Sequence, residues 1–186
     1  MPASKDEIAD KFMELAVRYG YRRTAVEDVA RELRISKKTI YEHFASKADL
    51  RRYAVELGAR RQRARVESLL TAGTALGRIQ QATEIALADA RAFYESQPSA
   101  QTVEPPELTA QVNDLVFLPM VRDLLVEGVA AGEFDVADPD MTAAFFVAMG
   151  TEAVRMVRDD PACRPEPLLL ESVRRLVGGR EKQEES

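Results

Sequence analysis

Apolar residues recur at intervals of three and four along nearly the whole chain of 186 residues. The first such series is Ile8, Phe12, Leu15, Ala16 and Tyr19. This spacing places side chains on one face of an α-helix, whereas a half-buried strand would alternate apolar and polar residues. No segment shows that alternation convincingly, so the sequence predicts an all-α fold of about nine helices.

Capping residues divide the first part of this pattern into short helices. Gly20 predicts the end of the first helix, because glycine tolerates a positive φ. Residues that favour N-cap positions stand before the second, third and fourth helices: Thr24, Ser36 and Ser46. Thr24 is followed three residues later by Glu27, which is the spacing of a capping box. The third helix is predicted to run only from Lys37 to about Phe44.

The remaining pattern predicts longer helices, over about 47–72, 74–95, 107–131, 139–159 and 166–177. Asp138 and Pro139 predict the N-cap and first residue of the helix that follows them. Pro119 lies in the middle of segment 107–131 and is predicted to kink or split it. We expect an N-terminal three-helix domain (1–50), a helical domain (51–180) and a disordered tail (181–186).

Charge is distributed unevenly along the chain. The net charge is −5, but residues 1–65 contain sixteen basic and ten acidic side chains, which gives +6, and the remainder is −11. A polyanion responds to a local basic surface, so the first third could bind nucleic acid although the whole chain is acidic. The alternative is that these basic residues only cover solvated helix faces.

The second and third predicted helices, with the turn 34–36 between them, form a helix-turn-helix pattern. In the third helix Ile40 and Phe44 are four residues apart and are expected to face inward. Side chains that donate hydrogen bonds remain for the outer side: Lys37, Lys38, Thr39, Tyr41 and His43. Phosphates and base edges accept such bonds in the major groove. The sequence therefore predicts that this helix reads double-stranded DNA.

The run "GYRRTAVEDVARELRISKKTIYEHFASKADL" (20–50) resembles the N-terminal DNA-binding domain of the TetR (tetracycline-repressor-like) family. The matching positions include Gly20, Thr24, Val29, Ala30, Ile35, Ser36, Thr39, Tyr41, His43, Phe44, Ser46, Lys47 and Leu50. The chain departs from the pattern at Leu33-Arg34, where the family usually has Ala-Gly, and at Lys38, where it often has Gly.

The resemblance implies a role for each DNA-binding residue. The predicted backbone contacts are Thr24, Tyr41, His43 and Lys47. The predicted base readers are Lys37, Lys38 and Thr39. Two copies about one DNA turn apart would bind a palindromic operator as a homodimer. The last two helices would pair, as in the family, through Phe145, Val157, Leu169, Val173, Leu176 and Val177. The alternative is that these apolar stripes pack within one chain.

The C-terminal helices are also predicted to bind a small-molecule effector. The candidate ligand-binding residues are Phe93, Asn113, Phe117, Met120, Phe146, Met149 and Glu152. Methionine and aromatic side chains adapt to apolar ligands, although they fill cores equally well. Glu152 shares a helix face with Met149 and Met156, and a buried carboxylate needs a partner, here Arg155, Arg174 or a cationic ligand.

The predicted function is a sequence-specific DNA-binding transcriptional regulator, specifically a repressor that a small, largely apolar ligand releases from its operator. The alternatives are a regulator without a ligand, or an activator. A single histidine, a single cysteine and no glycine-rich phosphate loop predict no enzyme, no metal site and no cofactor. With a polar N-terminus and no apolar run of ~20 residues, a cytoplasmic location without a membrane span is expected.

Overall fold

The computed structural model describes residues 3–96 and 106–178, apart from the side chains of 106–110, 112 and 113. These residues form eight helices and no strand, which confirms the all-α fold and is close to the predicted nine helices. The helices are α1 (Lys5–Tyr19), α2 (Val26–Leu33), α3 (Lys37–His43), α4 (Lys47–Leu69), α5 (Ala75–Ser96), α6 (Pro106–Ala130), α7 (Pro139–Asp159) and α8 (Glu166–Leu176). The predicted tail 181–186 lies outside the described residues.

Most predicted caps are confirmed. Gly20 ends α1 with a φ of 88°, the positive value that glycine tolerates. The Ser36 hydroxyl accepts a 3.1 Å hydrogen bond from the Thr39 amide at the start of α3. Ser46 accepts from the amide three residues later, also at 3.1 Å, at the start of α4. These bonds satisfy backbone donors that have no partner within the helix.

The predicted capping box at the start of α2 is wrong. The N-cap is Ala25, and the carboxylate of Asp28 accepts from its amide at 3.0 Å. The Thr24 hydroxyl instead donates to the carbonyl of Gly20 at 3.0 Å and is buried. A threonine hydroxyl can bond either to a helix start or to a nearby turn, and here the turn carbonyl is its partner.

Segment 106–130 is one helix that continues through Pro119. Pro119 therefore does not split it, although the proline has no amide hydrogen to donate to the preceding turn. The helix begins at Pro106, a position where the missing amide hydrogen costs nothing. None of the described helices is both long and apolar enough to cross a membrane.

Two clusters of buried side chains form two cores, and α4 contributes to both. The first cluster joins α1, α2 and α3 to α4 as far as Leu57. The second begins at Ala59 and joins the rest of α4 to the four C-terminal helices. The change of core lies further along α4 than the predicted domain boundary at residue 50. We call the two groups the N-terminal and C-terminal cores.

Candidate functional site

Helix α3 is held against the N-terminal core by one side only. Ile40 and Phe44 are each 1% exposed, and the Phe44 ring meets that of Tyr53 edge to face, with 5.5 Å between the centroids. Lys37, Lys38, Tyr41 and His43 are exposed, and Thr39 is half-buried. The structure thus presents all five predicted donors of this helix, most of them to solvent.

The predicted base readers differ in their freedom to move. The Lys37 ammonium donates to Glu27 of α2 at 2.8 Å. This hydrogen bond and the attraction between the charges raise the pKa of Lys37 and lower the pKa of Glu27. The Thr39 hydroxyl lies 3.0 Å from that of Ser36. Among the described residues the one carboxylate paired with Lys38 is that of Glu42, with 4.0 Å between Nζ and Oε1.

A patch of cations lies beside the start of α4. The Lys47 ammonium donates to the backbone carbonyl of Arg22 at 3.4 Å. Arg22, Arg23 and Lys47 form no ion pair within the described residues, and all three side chains lie close to the turn that precedes α2. Unpaired cations at this position can contact phosphate without first breaking a bond to a carboxylate.

This patch changes the expected set of phosphate contacts. Thr24 is 2% exposed and its hydroxyl is already bonded to Gly20, so its side chain stabilises the turn and is not placed to reach a phosphate. Arg22 and Arg23, immediately before it, were counted only as charge in the sequence. The signal that could have found them is two adjacent arginines in a turn between two predicted helices.

Most arginines of α4 are bound to carboxylates of the same chain. Four of the six form ion pairs: Arg52 with Asp49, Arg61 with Asp10, Arg63 with Glu67 and Arg65 with Asp89. Arg51 and Arg60 instead lie over the rings of Tyr21 and Tyr53. The basic run of α4 therefore covers a solvated helix face for the most part, as the alternative interpretation of the charge proposed.

The C-terminal core contains a small apolar cavity of about 40 Å³ between α5, α6, α7 and α8. Leu87, Phe117, Phe146, Gly150 and Leu169 are among the residues that line it. Ligand sites in proteins usually span about 300–1,000 Å³. This cavity therefore holds space for little more than water, surrounded by the apolar surface that a larger apolar molecule would contact.

Two of the seven predicted ligand-binding residues, Phe117 and Phe146, line this cavity. Met120 is 3% exposed in the core and does not border it. Phe93 and Met149 are half-buried outside the lining, and the side chain of Asn113 lies outside the described residues.

Glu152 does not face the cavity either. It is exposed on α7 and accepts from Nε of Arg155 at 2.8 Å, so Arg155 is the partner among those predicted. Their hydrogen bond lowers the pKa of Glu152. The expected burial of Glu152 is wrong, because its side chain is 55% exposed.

The predicted dimerisation residues separate into two groups. Val157, Leu169, Val173 and Val177 are at most 6% exposed, so they pack within one chain and the prediction for them is corrected. Phe145 and Leu176 are 58% and 42% exposed. Three more large apolar side chains of α7 and α8 are exposed, namely Met141, Met156 and Leu168. We call these five residues the α7–α8 surface.

Comparison with known proteins agrees with this architecture. Residues 6–54 match the sequence model of bacterial regulatory proteins of the tetR family. No curated protein sequence matches the chain. The match to the tetR model covers 49 of the 186 residues, so the N-terminal part of the chain is similar to that family.

Solved structures share the fold over almost the whole chain. The fatty acid degradation regulator FadR from Bacillus halodurans is 20% identical, with a TM-score of 0.69 and 96% of each chain covered. A putative TetR-family transcriptional regulator from Rhodococcus sp. is 18% identical, with a TM-score of 0.71 and coverage of 93% of this chain and 97% of that one. RolR in complex with resorcinol is 14% identical, with a TM-score of 0.69 and coverage of 95% and 88%.

Proposed function

We propose that the chain is a homodimeric repressor that docks α3 of each copy into the major groove of a palindromic operator. The observation that carries this proposal is that α3 buries Ile40 and leaves its donor side chains exposed or half-buried. The unpaired Arg22, Arg23 and Lys47 add phosphate contacts beside it. Phosphate contacts fix the position of a protein on DNA, and base contacts supply the sequence preference.

Selection from a random duplex pool tests the DNA-binding part. We expect a palindromic sequence to be enriched and its affinity to fall steeply with salt. Lys47→Ala, Tyr41→Ala and Arg22→Ala should weaken binding to every duplex, whereas Lys38→Ala should change the preferred base. Lys11→Ala is the matched control, because Lys11 lies on α1 and pairs with Glu14. Enrichment of no sequence would contradict the proposal.

The α7–α8 surface supports the dimer. Five large apolar side chains on two adjacent helices are between 40% and 75% exposed, and burial against a second copy removes such area from water. Phe145→Glu should produce a monomer in sedimentation and weaken binding to the palindrome. Val126→Glu is the control, since Val126 is 46% exposed on α6. A Phe145→Glu protein that stays dimeric would exclude this surface.

A small, largely apolar ligand is proposed to bind at the cavity by separating the helices around it. The apolar lining supports this ligand class, and RolR, whose structure contains resorcinol, has the same fold. The cavity volume of about 40 Å³ supports the second candidate, a regulator without a ligand. The two candidates differ in one observable, which is release of the operator by a compound.

Gly150 allows a sharp test of the ligand. It lines the cavity, and a Cβ added there meets no atom within 4 Å. Gly58 on α4 also has open space at this position but lies away from the cavity. A panel of small apolar compounds, including resorcinol, is screened for thermal stabilisation and operator release. Gly150→Leu should abolish a response that Gly58→Leu preserves, and a panel without any response favours the ligand-free regulator.

Helix α4 supports a route from the ligand to the DNA, because it belongs to both cores. Its C-terminal half is tied to its neighbours by Arg65–Asp89 on α5 and by Arg63–Asp123 on α6, the latter with 3.6 Å between charged atoms. A ligand that binds one arrangement of α4 more tightly would alter the separation of the two α3 helices. A coupling of ~1–3 kcal/mol changes the DNA affinity about 5- to 150-fold.

A further inference from the structure

The exposed side of α3 contains one carboxylate among its donors, and that carboxylate is Glu42. Successive residues of an α-helix lie about 100° apart around its axis, so Lys38 and Glu42, each two residues from Ile40, lie about 160° away from it. Ile40 is 1% exposed and marks the inward side. The side chains of Lys38 and Glu42 are 87% and 59% exposed. Of the residues in α3, Lys38 and Glu42 are therefore the two whose side chains point most directly away from the core.

The other charged and ring-bearing donors at the two ends of α3, Lys37 and His43, lie nearer to the inward side of the helix. Lys37 and His43 each stand three residues from Ile40, which places them only about 60° from it around the axis. Lys37 is also bonded to Glu27 of α2. When α3 lies in the major groove with Ile40 turned away from the DNA, Lys38 and Glu42 reach deepest towards the bases.

A carboxylate in this position has few favourable contacts on DNA. Phosphate oxygens are negatively charged and would repel it. The only hydrogen-bond donors that the major groove presents are the amino groups at N4 of cytosine and N6 of adenine. Glutamate is suited to the cytosine amino group, while lysine is suited to O6 and N7 of guanine. A glutamate beside a lysine thus complements a G·C base pair.

The geometry of the pair agrees with this chemistry. Nζ of Lys38 and Oε1 of Glu42 are 4.0 Å apart, which is at the outer limit of an ion pair. Glu42 has no other ion pair among the described residues. Both groups can turn away from each other towards a base without breaking a close hydrogen bond, and their opposite charges lower the cost of bringing a carboxylate near phosphates.

We propose that Glu42 determines specificity by accepting a hydrogen bond from N4 of a cytosine, next to a guanine that Lys38 contacts. The proposal rests on the proposed function, since it requires α3 to lie in the major groove. A thymine or guanine at the cytosine position would present a carbonyl oxygen to the carboxylate and leave it without a donor. Glu42 therefore acts mainly by rejecting wrong bases, and this rejection adds specificity more than affinity.

The test combines Glu42→Ala and Glu42→Gln with a matched control, Glu14→Gln. Glu14 is an equally exposed glutamate, 61% against 59%, which pairs with a lysine on its own helix, but it lies on α1. Each protein is used for selection from the random duplex pool. Affinities are then measured for the selected palindrome, for palindromes with the cytosine replaced symmetrically, and for an unselected duplex. Circular dichroism and sedimentation confirm that the variants keep their fold and assembly.

We expect the wild type to require cytosine at one symmetric pair of positions. Glu42→Ala should lose that preference by roughly 5- to 150-fold, while its affinity for the unselected duplex stays the same or rises because a negative charge is removed. Glu42→Gln should move the preference towards adenine, whose N6 and N7 suit an amide. Glu14→Gln should change neither quantity.

Three results would overturn the inference without overturning the proposed function. One is a Glu42→Ala protein that binds every duplex more tightly in equal proportion, since the carboxylate would then only repel phosphates. Another is a cytosine preference that persists in the Glu42→Ala protein. The third is a wild-type protein that prefers adenine, not cytosine, at the position where Glu42→Ala loses its base preference. If the wild type enriches no palindrome, the proposed function fails and this inference fails with it.

Discussion

The N-terminal and C-terminal cores use their helices in different ways. In α3 one side is buried and the opposite side is free, as Ile40 at 1% and the Lys38 side chain at 87% exposure show. In α7 apolar residues occupy both sides, so that Val147 is 5% exposed and Phe145 is 58% exposed. A helix with a single apolar side has its orientation specified by its own sequence. A helix with two apolar sides is oriented by its neighbours.

The largest expected effect concerns the filled N-terminal core. Phe44→Ala removes a ring that is 1% exposed and packed against Tyr53, and such a truncation costs about 3–5 kcal/mol of unfolding free energy. Urea unfolding followed by circular dichroism should show an early transition for α1–α3. Tyr41→Ala, on the exposed side of the same helix, should stay within about 0.5 kcal/mol of the wild type. Equal losses for both variants would contradict a one-sided α3.

The stability of the C-terminal core should depend strongly on the glycine at position 128. A Cβ at Gly128 would lie 2.2 Å from ring atoms of Phe134, which is itself 7% exposed. Gly128→Ala should therefore lower the stability by about 1–3 kcal/mol, because the buried ring has to move. Gly58→Ala is the control between the two cores and should raise stability by about 1 kcal/mol through helix propensity. A stabilised Gly128→Ala protein would show that the ring has room to move.

The turn of the helix-turn-helix allows a stabilising change. Arg34 has a φ of 55° and a ψ of 40°, the left-handed region that disfavours residues with a Cβ. Glycine has no Cβ and adopts this region without strain, so Arg34→Gly should raise the stability of the N-terminal core by about 1 kcal/mol. Arg31→Gly, inside α2, should lower it by about the same amount. Thermal unfolding that shifts in the same direction for both would count against strain at Arg34.

The smallest expected effect on stability is that of Glu27→Gln, which should change DNA affinity but not folding. Glu27→Gln removes the carboxylate that holds Lys37. We expect the melting temperature to change little, because an exposed ion pair contributes little to stability. Affinity for unselected duplexes should rise, since Lys37 becomes free to contact phosphate and one negative charge is lost. Fluorescence anisotropy at two salt concentrations measures this, and a fall in affinity would show that Glu27 positions Lys37 for DNA.

Prediction from the sequence succeeded where the signal is local. The caps at Ser36 and Ser46 are hydrogen bonds between residues three apart, and Gly20 acts through its own φ. It failed at Thr24, where two local partners compete and only the folded turn decides between them.

Prediction was least successful for the C-terminal sites, for a physical reason. An apolar residue at helical spacing is equally suited to a core, a pocket or an interface. Val157 at 0% exposure and Met120 at 3% are core residues, whereas Phe117 borders the cavity and Phe145 faces outward. Periodicity shows that a side chain avoids water but does not identify what covers it.

The sequence by itself determined the helices, their caps and the donor residues of α3, because all of these depend on residues within one or two turns of each other. The tertiary structure decided which cations remain free. The partners of Lys37 and Arg65 lie ten and twenty-four residues away in the chain, so no local pattern reveals them. The tertiary structure also decided which apolar side of α7 is buried. Burial depends on where α5, α6 and α8 pack, and their packing is set by the summed contacts of the whole core.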